Sequence, residues 1–158
     1  MAYFNRFLFL IVIFALVFAF QSARWFELGG VEPNLILITA LLILFFPIVS
    51  LRLPLFLWWP LALAVALLGF LFMNFWFFEI LVLMILVGIL RLLSKFLTGD
   101  ALLDFMMGIL AITPLFYMIS GAAAGISILW GLVILELLYN LFLGTVLWLI
   151  FSRLKLGL

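Results

Sequence analysis

An all-α integral membrane protein, a bundle of six transmembrane helices in a single domain over residues 1–158, is the fold this sequence predicts. Three observations predict it. Hydrophobic residues make up 72% of the chain and charged residues 8%, whereas a soluble domain carries about a quarter charged residues. The apolar runs approach the roughly 20 residues that a helix needs to cross a bilayer core. The seven basic and six acidic residues fall mostly between those runs.

The first helix is expected from about Tyr3 to Phe20, with Arg6 reaching back to the interface along its apolar stem. Residues 21–23 read Gln-Ser-Ala, and Gln21 suits a signal-peptidase site poorly, so this segment is expected to be a retained helix. A polar connection, Gln21 to Glu32, carries Arg24, Trp25, Glu27 and the turn-forming Gly29-Gly30. Pro33 suits the first position of a second helix, where its missing N–H costs nothing. That helix is expected to reach about Val49, with Pro47 near its end and a tight link around Arg52.

Pro54 opens a third helix through Trp58 and Trp59 to about Met73, and Asn74 is read as a tight turn. The fourth helix is expected from Phe75 to about Leu93, followed by a loop with Lys95 and Thr98. The fifth runs from Asp100 or Ala101 to about Ile119, with Pro114 as a kink. Ser120 to Gly125 reads as a small-residue connection, and the last helix as Ile126 to Phe151, long enough to tilt. Five spans are the alternative, with the helices around Asn74 forming one re-entrant unit.

The basic residues orient these spans. Six helices place Arg6, Arg52, Arg91, Lys95, Arg153 and Lys155 on one side and Arg24 on the other, beside Glu27 and Glu32. The positive-inside rule then makes both termini cytoplasmic. Tyr3, Trp58, Trp59 and Trp148 fall near the inner interface, and Trp25, Trp76 and Tyr117 near the outer one.

Composition also narrows the function. A net charge of +1 argues against a nucleic-acid partner, which calls for clustered Lys and Arg. The absence of Cys and His removes disulfides, thiolate nucleophiles, the usual zinc sites and His-based proton relays. No P-loop, dinucleotide fingerprint or nucleophile elbow is present. Catalysis is not excluded, but most of its usual reagents are missing, and no metal or cofactor is expected.

Glu136 is the sharpest single residue. With the last helix starting at Ile126, it lies roughly 15 Å along the axis, near mid-membrane, at about 1.5 Å per residue. A charge there is costly, so the group must face protein or be protonated. Asn140 follows one turn later on the same face. The pair is either a ligand or proton site, or a polar clasp between helices or subunits. Glu79 can reach the interface from the fourth helix. Asp100 and Asp104 suit the positive end of a helix dipole and can pair with Arg91 or Lys95; as a cation site they lack further oxygen ligands. Ala15/Ala19 and Gly121/Gly125 have the small-x-x-x-small spacing that permits close helix packing, within the chain or with a partner.

The stretch Phe20-Gln21-Ser22 through Gly29-Gly30-Val31-Glu32-Pro33-Asn34-Leu35-Ile36-Leu37 resembles the start of the rod shape-determining protein MreD family. That family resembles a first helix ending in Gln-Ser, a short outer loop, then Pro-Asp or Pro-Asn opening a Leu-rich second helix. Chain size and the near-absence of soluble parts are also similar. The third helix departs from the pattern: it offers Gly69 and no terminal acid, where members often have a Gly-rich helix ending in an acidic residue. The resemblance implies a non-enzymatic, multi-pass scaffold of the bacterial inner membrane. Such a scaffold binds MreC and, through it, the MreB filament and the cell-wall elongation enzymes. MreD is also similar in fold to the substrate-binding subunits of energy-coupling-factor vitamin transporters. That is the alternative reading, in which an Ala-x-x-x-Ala pair such as Ala15/Ala19 docks the transport partner. Short outer loops with few polar groups count against it.

Overall fold

The computed structural model describes residues 2–24, 26–27, 30–45, 55–73, 77–93, 97–125 and 127–153. They form six helices: α1 (Ala2–Ser22), α2 (Leu35–Phe45), α3 (Leu55–Met73), α4 (Phe77–Leu93), α5 (Ala101–Ala124) and α6 (Trp130–Arg153). Expectations placed on Trp25, Gly29, Pro47, Arg52, Pro54, Asn74, Trp76, Lys95, Ile126 and Lys155 lie outside the described residues. Three helices, α1, α5 and α6, are long and apolar enough to cross a membrane; α2 and α3 contribute shorter apolar segments.

Helix α2 is the centre of the bundle. It packs against α1, α4, α5 and α6, while the order of neighbours around it runs α1, α3, α4, α5, α6. Its sequence explains the position: Leu35, Ile36, Leu37, Ile38, Ala40 and Leu41 are all buried, so it has little of the polar face that a surface helix shows. The outer helices bury one stripe each. On α1 that stripe is Leu10, Phe14 and Phe18, while Phe4, Leu8, Val12 and Leu16 point outward. Large apolar side chains cover the exterior, among them Leu71 and Phe142, each more than two-thirds exposed. An exterior of this composition suits lipid rather than water.

Four glycines let the helices approach. A Cβ on Gly88 would stand 2.7 Å from Trp58 Nε1, and one on Gly144 would stand 3.0 Å from both Ile109 and Phe105. Gly69 and Gly108 face Ile80 and Leu41 in the same way. Trp58 and Trp148 are consequently buried in the core rather than turned outward. Trp58 is 1% exposed, donates its indole N–H to Met84 O at 3.4 Å and lies under the Arg91 guanidinium. Trp148 packs on the Phe105 ring, with centroids 5.2 Å apart. Tyr3 and Trp59 are exposed.

Two carboxyl groups build the start of α5. Asp100 caps it by accepting from Leu102 N and Leu103 N at 2.9 and 3.0 Å. Asp104, buried one turn on, accepts from Thr98 N and Thr98 Oγ1 at 2.9 and 2.7 Å and from Gly99 N at 3.3 Å. Their oxygens thus serve the turn itself. Helix α5 then continues through Pro114 and past the expected end at Ile119, because Ser120 to Ala124 remain helical. Gly125 stops it in a left-handed conformation, φ 65°, donating its N–H to Ala122 and Gly121 carbonyls. Residues 127–129 are not helical, so α6 begins at Trp130, later than expected.

Candidate functional site

The site forms where α1, α3 and α5 end and α2, α4 and α6 begin. Its foundation is the N-terminus of the central helix, whose first N–H groups have no partner within the helix and are too buried to rely on water. Three side chains supply acceptors. Asn34 caps the helix, its Oδ1 accepting from Leu37 N at 2.9 Å. Gln21, at the end of α1, accepts from Leu35 N through Oε1 at 2.9 Å. Asn140, on α6, accepts from Asn34 N through Oδ1 at 2.7 Å. Pro33 precedes this cap instead of occupying the first helical position, which belongs to Leu35. Ser22 closes α1, donating to Ala19 O at 3.0 Å.

The connection between α1 and α2 is tied down by charge. Arg24, in a left-handed conformation with φ 53°, places Nε 2.8 Å from Glu32 Oε1 and Nη1 3.5 Å from Glu27 Oε2. Gln21 Nε2 donates to Glu32 Oε2 at 3.4 Å. Tyr139 O–H, from α6, donates to Phe26 O at 2.6 Å.

Glu136 is 9% exposed and accepts a hydrogen bond from the Tyr117 hydroxyl on α5. Because α6 starts at Trp130, the carboxyl group is about 9 Å below the helix start at ~1.5 Å per residue. It is therefore nearer the helix end than the expected mid-span position. Asn140, fully buried, turns its Oδ1 to the α2 cap, and its Nδ2 has no hydrogen-bond partner among the described residues. Tyr117 is the member of this site that the sequence reading missed, having been assigned to the interfacial aromatic belt. The signal was available: a hydroxyl on an apolar helix requires a partner, and Glu136 offered the acceptor.

Gln21, Asn34, Tyr117 and Glu136 line a cavity of about 820 Å³. Gln21, Arg24, Glu32, Glu79, Ser120 and Glu136 line its polar wall, and Leu83, Phe116, Leu132 and Val133 its apolar one. Its polar groups come largely from helix ends, so short loops do not deprive it of them. Glu79 Oε2 and Ser120 Oγ are buried without a hydrogen-bond partner among the described residues. No group of three His, Cys, Asp or Glu that could hold a metal ion occurs among those residues.

The small-residue pairs separate. Ala15 is half-buried and Ala19 exposed, beside the outward stripe of α1. Gly121 lines the cavity and Gly125 terminates α5, so the two do not share one helical face. The positive φ of Gly125 takes it off the helix.

No protein-family model, curated protein or solved structure matches this chain.

Proposed function

We propose that this chain is a multi-pass scaffold of the bacterial inner membrane that serves cell-wall elongation in the manner of the MreD family. It crosses the bilayer six times with both termini in the cytoplasm, and it binds an MreC-like membrane protein through lateral helix contacts. The observation that carries the reading is the open face of α1. Phe4, Leu8, Val12 and Leu16 point away from the bundle, and Ala15 and Ala19 border them. In lipid, small residues beside such a stripe allow a second helix to approach closely. The resemblance gains physical coherence from Gln21 and Asn34, which act together at one helix cap. Among the described residues, nothing in the site assembles an acid, a base and phosphate-binding cations as an enzyme of lipid-linked precursors would need.

The cavity favours a second reading, the substrate-binding subunit of an energy-coupling-factor transporter, because it offers a drug-sized space with convergent polar groups. Co-purification in detergent separates the two. The scaffold reading expects an MreC-like protein to be retained and transporter ATPases to be absent; the reverse result overturns it. Reporter fusions at Gly30, Gly99 and Leu158 are expected to read outside, inside and inside. An outside reading at Leu158 contradicts the even number of spans.

A further inference from the structure

We propose that the cavity between the ends of α1, α3 and α5 is a binding site for a ligand carrying a protonated amine on an apolar or aromatic body. Charged groups are unevenly answered around its wall. Glu32, Glu79 and Glu136 contribute carboxyl groups, and Arg24 the cation. Arg24 is held by Glu32 and Glu27, so its positive charge is already answered at the rim. Glu136 has Tyr117. Glu79 has neither among the described residues: its carboxyl group meets no cation there, and its Oε2, like Ser120 Oγ on the same wall, has no hydrogen-bond partner.

A carboxylate in a cavity wall without a donor or counter-charge loses hydration and gains nothing in return, so Glu79 marks where a cationic donor belongs. Water supplies a donor but no charge to balance a carboxylate in a partly apolar wall. A bare metal ion fits poorly, because the carboxyl groups are spread around the cavity and no three acidic groups gather at one point among the described residues. An ammonium group supplies both several N–H donors and a compensating charge. Phe116 and Tyr117, edge to face with centroids 5.4 Å apart, add ring surfaces that attract cations. Leu83, Leu132 and Val133 then receive the apolar body. The volume, about 820 Å³, suits a small organic molecule rather than an ion. A free amine and the headgroup of an amine-bearing phospholipid share this chemistry. The site names a ligand class for the cavity under either function above, and it does not depend on the lateral contact at α1.

The test uses the full chain in nanodiscs of phosphatidylcholine, with dansylcadaverine as probe and its N-acetylated form as the uncharged control. Fluorescence titration is expected to show saturable binding of the amine, about tenfold or more weaker binding of the acetylated form, and a similar loss in Glu79→Gln. Adding phosphatidylethanolamine to the nanodiscs displaces the probe if a lipid headgroup is the ligand and leaves it bound if the ligand is a free amine. Absence of saturable binding to folded wild type overturns the proposal, as does equal binding of the amine and its acetylated form. Equal binding by folded Glu79→Gln overturns it as well. If Glu79→Gln does not fold, Ser120→Ala takes its place under the same criterion. Retention of an MreC-like partner by Glu79→Gln distinguishes this site from the scaffold contact.

Discussion

The side chain of Asn140 holds the backbone of Asn34: its Oδ1 accepts the Asn34 N–H at 2.7 Å, across 106 residues of sequence. This bond fixes the last helix to the entry of the central one. It also joins two sequence features that had looked unrelated, a polar pair on α6 and a motif in the α1–α2 connection. Both belong to one device for satisfying a helix start that is buried.

Asn140→Leu is expected to destabilise the protein by about 1 kcal/mol. It leaves the Asn34 N–H without an acceptor, which alone costs roughly 1–3 kcal/mol. Part of that is offset because the unpartnered Nδ2 also disappears. Hydrogen exchange at the Asn34 amide, with thermal unfolding in detergent, checks this. Unchanged protection of that amide would rule out the bond as a source of stability.

For Glu136 the partner is Tyr117, so the expected pattern is that of a pair. Glu136→Gln keeps an acceptor for the Tyr117 hydroxyl and is expected to unfold near the wild-type temperature. Glu136→Leu is expected to cost roughly 1–3 kcal/mol by orphaning the hydroxyl, and Tyr117→Phe in that background to recover much of the loss. Additive losses in this double-mutant cycle would mean that the two groups do not interact.

Close packing makes a third expectation. Gly88→Ala puts a methyl group 2.7 Å from Trp58 Nε1, and the indole is buried and fixed by its bond to Met84 O. A loss of about 1–3 kcal/mol is expected from overpacking. Gly131→Ala, with nothing within 4 Å of the new Cβ, is expected to be neutral or slightly stabilising. Equal melting temperatures for the two variants would contradict the observed approach of α3 and α4.

The helical class was legible in the sequence because charges and turn residues interrupt apolar runs, and the described residues hold six helices as expected. Boundaries were harder. Ser120 to Ala124 read as a loop because they are small, yet Ala is the strongest helix former, and the stop comes from Gly125 alone. That shift moved α6 and therefore the depth of Glu136. Gly88, Gly108 and Gly144 were not singled out, since a glycine's packing role depends on the neighbour it meets, whereas Gly125, half of a visible small-residue spacing, meets none within 4 Å. The cavity was equally hidden: Gln21, Glu79, Ser120 and Glu136 are far apart in sequence and converge only when α2 is at the centre.

The scaffold reading is tested most directly by cross-linking along α1. The chain contains no cysteine, so single substitutions report without background. Val12→Cys, Leu16→Cys and Ala19→Cys lie along the outward side of the helix, while Leu138→Cys points outward from α6. Each variant is co-expressed with an MreC-like partner carrying a cysteine series in its membrane span and is oxidised in native membranes. The account predicts disulfide-linked complexes from positions 12, 16 and 19 and none from position 138. Cross-links from position 138 with none along α1, in membranes containing both proteins at normal levels, would contradict it.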